Sequence, residues 1–120
     1  MACYEEPARP GPPRLSITLG REEVLSPDTL SGRLRATDPD GIDSLWLVVD
    51  TMRFGIEGFL LDEVAGPFTI EIPDGRAAGS AIPIMLEARD ALGLVATIDT
   101  FVRVAFPLQG RRFRRAAAEP

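Results

Sequence analysis

Ala36-Thr37-Asp38-Pro39-Asp40-Gly41-Ile42 and Ala88-Arg89-Asp90-Ala91-Leu92-Gly93-Leu94 share one pattern, Ala-x-Asp-x-x-Gly-apolar, at a spacing of 52 residues. Each copy ends one alternating run and opens another, so each reads as a corner between two strands. An Asp side chain accepts hydrogen bonds from backbone N–H groups two residues on, and Gly supplies the positive φ that closes such a turn. Asp38, Gly41, Asp90 and Gly93 are therefore expected as turn caps. Paired corners of this kind mark an antiparallel β-sandwich.

The flanking runs agree. From Thr29 to Ala36, Leu30, Gly32, Leu34 and Ala36 fall on one face and Ser31, Arg33 and Arg35 on the other, the period of a strand with one wet side. Leu45 to Val49 is apolar throughout, which predicts a central strand covered on both faces. Thr51 to Leu61 is interrupted by Gly55 and Gly58, so a short strand or bulged edge is expected there. Phe68, Ile70 and Ile72 alternate with polar residues, as do Ile82, Ile84, Leu86 and Ala88. Leu94, Ala96, Ile98, Val102 and Val104 share a face in the last run. Leu15, Ile17 and Leu19 make a first strand, and Gly20 to Asp28 reads as a loop. Seven short strands with turn signals and no helical period predict an all-β, seven-stranded antiparallel sandwich. With that strand order the two corners lie at the same end.

Composition bounds the function. The 120 residues hold one domain with a core of ordinary size. Residues 1–14 read as a Pro-rich N-terminal spacer, 15–106 as the sandwich, and 107–120 as a flexible basic tail. Between residues 15 and 108 there are 7 Arg and 15 acids. An acidic body repels a phosphate backbone, so nucleic acid is not an expected partner. The single cysteine cannot form an internal disulfide. No histidine is present, which removes the commonest general base and metal ligand together.

At this point the chain resembles a bacterial immunoglobulin-like domain of the fibronectin/cadherin-like kind found in multidomain cell-surface proteins. The residues that carry the resemblance are Ala36 to Ile42, Leu45-x-Leu47-x-Val49-Asp50, Phe68-x-Ile70-x-Ile72-Pro73, and Ala88-Arg89-Asp90-x-x-Gly93 with Ile98 to Val104. The resemblance implies an immunoglobulin-like β-sandwich and a non-catalytic adhesion, spacer or protein-interaction role in the cell envelope, outside the cytoplasm. Trp46 falls on the expected third strand, and the inter-sheet cysteine pair of antibody domains is missing.

No catalytic residues are expected. Ser16, Ser26, Ser31, Ser44 and Ser80 have no Gly-x-Ser-x-Gly context and no histidine to activate them. No cofactor is expected either. The alternative to a pure interaction role is a Ca²⁺-dependent or carbohydrate-binding module using the corners. Asp38, Asp40, Asp43 and Asp90 would supply the hard oxygen ligands that Ca²⁺ takes. Against it, the second corner keeps the Asp and Gly and drops the extra acids, as plain turn capping requires.

Trp46, Val48, Met85 and Phe101 are expected together on the outer side of the sheet, an apolar patch suited to a protein partner or to self-association. The competing expectation is that Met52 to Leu61 or the tails cover it. Cys3 ahead of a Pro-rich spacer is how a mature bacterial lipoprotein begins, making it the lipidation candidate and the one route to a membrane. Only Met1 and Ala2 precede it, so that reading requires a leader replaced by Met-Ala. Arg111-Arg112-Phe113-Arg114-Arg115 reads as a solvated tail, with contact to an anionic surface as the alternative.

Overall fold

A computed structural model describes residues 11–106. Cys3, most of the 1–14 spacer and the 107–120 tail with its arginines lie outside the described residues. The fold is all-β: β1 (Arg14–Leu19), β2 (Glu23–Val24), β3 (Asp28–Val49), β4 (Met52–Ile72), β5 (Ala81–Asp90) and β6 (Val95–Val104). They form one mixed sheet in the order β1-β3-β5-β6-β2, with β4 joined to β3.

Two strands give the sheet its shape. β3 does not stop at the first corner; it runs from Asp28 to Val49, with register shifts between Thr37 and Ser44. Its first half, 28–37, lies between β1 and the second half of β4, pairing Leu15 with Ala36 and Leu30 with Ile70. Its second half, 42–49, lies between the first half of β4 and β5, pairing Leu45 with Ile56 and with Ala88. The sheet therefore curls over at the corner. β1 comes to lie near β6 with no ladder between them.

The core fills the space inside the curl. Leu30, Ile70 and Ile72 from one side meet Leu47, Val49, Ile82, Ile84, Val102 and Val104 from the other. A second cluster beside the corner holds Leu34, Ala36, Ile42, Leu45, Leu86 and Ala88. Each Leu, Ile or Val among them contributes roughly 1.5–3 kcal/mol by leaving water. Alternation places them correctly: Leu45, Leu47 and Val49 are buried, while Trp46 and Val48 between them are half-buried. Leu94 departs from the expected inward set and is exposed, because it belongs to the second corner and precedes β6.

The strand count and direction differ from expectation. The described residues form six strands in one sheet: the second and third expected strands are a single β3, the fourth and fifth a single β4, and the two-residue β2 is added. Pairing with β4 lapses after Thr37 and resumes at Ile42, so the ladder continues past a bulged bend where local turn signals imply a stop. Nor is the sheet wholly antiparallel. Glu23–Val24, expected as loop, runs parallel to Arg103–Val104. Val24 is 1% exposed and closes the end of the core, and Ala105 N donates to its carbonyl at 2.7 Å.

The bend requires close backbone contact. A Cβ on Gly41, whose φ is +97°, would meet the Leu60 carbonyl oxygen at 2.7 Å; one on Gly58 would meet that of Ile42 at 2.1 Å. Only glycine fits at such crossings.

Candidate functional site at the acidic corner and the β4 edge

Both corners adopt the same local chemistry. At the first, Asp40 N donates to Asp38 Oδ1 at 2.7 Å. At the second, Leu92 N and Leu94 N donate to Asp90 Oδ1 at 2.9 and 2.8 Å. Gly41 and Gly93 have φ of +97° and +87°. Ala91 N then donates to the Gly41 carbonyl at 3.0 Å and ties one corner to the other.

That contact brings acids together. One carboxylate oxygen each from Asp38, Asp40 and Asp90 lies within 4.8 Å of the other two. Asp38 and Asp90 are 2% and 1% exposed, and the Oδ2 atom of each is buried without a hydrogen-bond partner. Burial pushes the Asp38 carboxyl above its ordinary 3.8; the Asp40 N–H opposes this, and the Asp90 and Asp40 carboxylates add to it. No arginine among the described residues forms a salt bridge with any of the three. Asp43, grouped with them on sequence, is not in the cluster; its carboxylate accepts from Ser44 Oγ at 3.3 Å.

The Trp46 face takes a different form from the continuous patch expected. Val48 pairs with Met85, and Trp46 with Glu87. Phe101 sits opposite Pro83, one row beyond the Met85–Asp99 pair. All four apolar residues share a face, but charges interrupt it. Arg53 lies 5.1 Å from the centre of the Trp46 ring and 3.9 Å from Glu87. Arg103 lies 5.5 Å from the Phe101 ring, which stays 53% exposed. Met52 to Leu61 is not a cover over this face. It is the neighbouring strand, and Gly55 on it leaves room for the Trp46 indole at 3.5 Å from where a Cβ would stand.

Sequence reasoning missed what lies along β4. Among the described residues this strand pairs only with β3, so its other edge has no partner strand there. Val49 and Met52 close a two-residue hairpin, and such closing pairs are hydrogen-bonded. By alternation Phe54 and Ile56 also bond to β3, while Arg53, Gly55 and Glu57 turn their N–H and C=O groups outward. In the second half Pro67, opposite Arg33, removes one donor, a usual way to blunt an edge. Residues 52–58 carry no proline. Between the halves of β4 is a groove of about 360 Å³, with Met52, Phe54, Ile56 and Phe68 around Leu47 and Ile70. Where β4 crosses the bend, Phe59 and Leu60 hold φ of +54° and +57° while 74% and 59% exposed. Bulky residues seldom adopt that conformation, and such strain concentrates where a segment has a task. The unbroken Phe59-Leu60-Leu61 run was the available signal, since it fits neither face of an alternating strand.

No protein-family model and no curated protein matches this sequence. Among solved structures, the sporulation control protein Spo0M from Bacillus subtilis is similar in fold, with a TM-score of 0.57 at 12% identity. The match covers 80% of this chain and 50% of that one, so the chain spans about half the length of that structure.

Proposed function

We propose that the chain is a non-catalytic, immunoglobulin-like interaction module that pairs with a second copy of itself along 52–58 of β4. The immunoglobulin-like assignment is supported by taking the halves of β3 and β4 separately. β1, β3 first half and β4 second half then form one layer, against β4 first half, β3 second half, β5 and β6. That makes seven antiparallel segments, with β2 as a short addition. The extracytoplasmic adhesion or scaffold setting implied by the sequence resemblance belongs to the same proposal.

One observation carries the pairing. Arg53-Phe54-Gly55-Ile56-Glu57 is self-complementary about Gly55. In an antiparallel register centred there, Arg53 of each copy meets Glu57 of the other and Phe54 meets Ile56. Opposite charges and apolar pairs at such positions each contribute roughly 0.2–1 kcal/mol. The outward N–H and C=O groups of Arg53, Gly55 and Glu57 supply the ladder. The Trp46 faces of the two copies would then be continuous across the seam.

Sedimentation equilibrium tests this with a charge swap. The unmodified chain is expected to dimerise with rising concentration, Arg53→Glu to stay monomeric, and Arg53→Glu/Glu57→Arg to recover the dimer. A folded chain that is monomeric at every concentration, or a double variant that fails to recover, contradicts the proposal.

A further inference from the structure

We infer that the C-terminal segment of the same chain docks, through Phe113, in the groove between the two halves of β4. The first ground is that the core is open there. Met52, Phe54 and Ile56 pair with Val49, Leu47 and Leu45, so they project to the core side together with those buried partners. Met52 and Phe54 nevertheless stay 37% and 43% exposed. Phe68 and Ile70 from the second half of β4 complete the groove of about 360 Å³. A phenyl ring entering it leaves water and meets Phe54 and Phe68, which favour edge-to-face contact.

The second ground is charge. β4 carries Glu57, Asp62, Glu63 and Glu71 against Arg53 alone. Among the described residues Glu57, Asp62 and Glu71 form no salt bridge, and Glu71 lines the groove. Arg111-Arg112-Phe113-Arg114-Arg115 sets one aromatic ring among four cations, the complement of an apolar groove with acids along it. The third ground is reach. Phe106, the last described residue, lies against Gly79. Gly79 is seven residues from Ile72 at the end of β4, along a loop shortened by turns at 74–75 and 78–79. Phe113 is also seven residues from Phe106. Extended, that segment spans up to about 23–25 Å, enough to cover what the folded loop covers and arrive at the Glu71 end of the groove. Docking uses the core side of 52–56, whereas pairing with a second copy uses outward backbone groups, so neither depends on the other.

Methionine-methyl NMR on the full chain tests this, with Cys3→Ser and a nitroxide attached at Ala117→Cys. Met52 lines the groove and Met85 lies on the outer face of the sheet. Diluted with isotopically unlabelled, nitroxide-free protein, each observed chain reports only its own nitroxide. The Met52 methyl is then expected to broaden several-fold more than that of Met85. Phe113→Ala and Glu71→Arg are each expected to remove most of that difference. Both leave the strands folded, since Glu71 is exposed and Phe113 lies outside the described strands. Equal broadening of Met52 and Met85, or an excess at Met52 that survives either substitution, overturns the inference. An excess that disappears on dilution places another copy's segment in the groove and overturns it as well. The β4 charge swap reads association separately, so either proposal can fail alone.

Discussion

The carboxyl groups of Asp38 and Asp90, 52 positions apart in the chain, are buried against each other where the sheet curls over. Each binds the backbone of its own corner with one oxygen and leaves the other without a donor. The repeated motif is thus one structural unit built from two distant segments.

Replacing one acid by its amide tests that geometry. In Asp90→Asn, Oδ1 keeps both turn bonds and the amide N–H₂ can donate to Asp38 Oδ2. Unfolding by urea at neutral pH in EDTA is expected to find it as stable as the unmodified chain or more so. Asp90→Ala instead leaves Leu92 N and Leu94 N without their acceptor, and is expected to cost about 2–4 kcal/mol.

Stability should respond to pH with opposite signs from two aspartates. The folded value of Asp38 is raised above 3.8, so the folded state favours its protonated form. Its contribution is full below 3.8 and is lost as pH rises through the raised value. Asp28 behaves in reverse. The N–H groups of Leu25 and Thr29 and the Arg21 guanidinium lower it to about 2, so its contribution is present above 3.8 and lost as pH falls towards 2. Stability, read by denaturation against pH in EDTA, should fall in both directions. Asp38→Asn is expected to abolish the upper limb alone and Asp28→Asn the lower limb alone.

Strain at the β4 crossing gives a stabilising substitution. A left-handed conformation costs roughly 1–2 kcal/mol in a residue with a side chain, part of which glycine returns through its freer unfolded state. Phe59→Gly is expected to raise stability by about 0.5–1 kcal/mol, read by thermal melting. A loss would mean that the exposed Phe59 ring packs on something that matters to the monomer.

Trp46→Ala should separate face from core. The ring is half-buried under Arg53 and over Gly55, so its loss is expected to cost about 1–2 kcal/mol and leave a folded chain. Dimerisation should weaken in the same variant. Leu45→Ala, in the buried cluster by the corner, should cost about 2–5 kcal/mol by comparison.

Much of this was legible residue by residue. Period-two alternation names the buried face of 82–88, because side-chain direction in a strand follows from parity; in the wholly apolar 45–49 run only the structure shows that Leu45, Leu47 and Val49 are the buried side. The Asp/Gly corners are legible because their capping chemistry is local. The continuity of β3 was not. Pro39 and Gly41 look like terminators nearby in sequence, and whether pairing survives them depends on Leu61 and Asp90, which meet Ile42 from distant segments. β2 escaped notice because two residues have no period. The edge of β4 left unpaired among the described residues depends on the order of strands in the sheet, which is not written in any one of them.

The convergence of the two corners is the claim on which the rest depends, and the Ala91 N–H to Gly41 carbonyl bond is its most direct sign. A long-range HNCO experiment on labelled protein reads a coupling through that bond. The account requires a cross-peak between the Ala91 nitrogen and the Gly41 carbonyl carbon, with slow exchange of the Ala91 amide. A missing cross-peak together with an Ala91 amide that exchanges as fast as an exposed loop would contradict it.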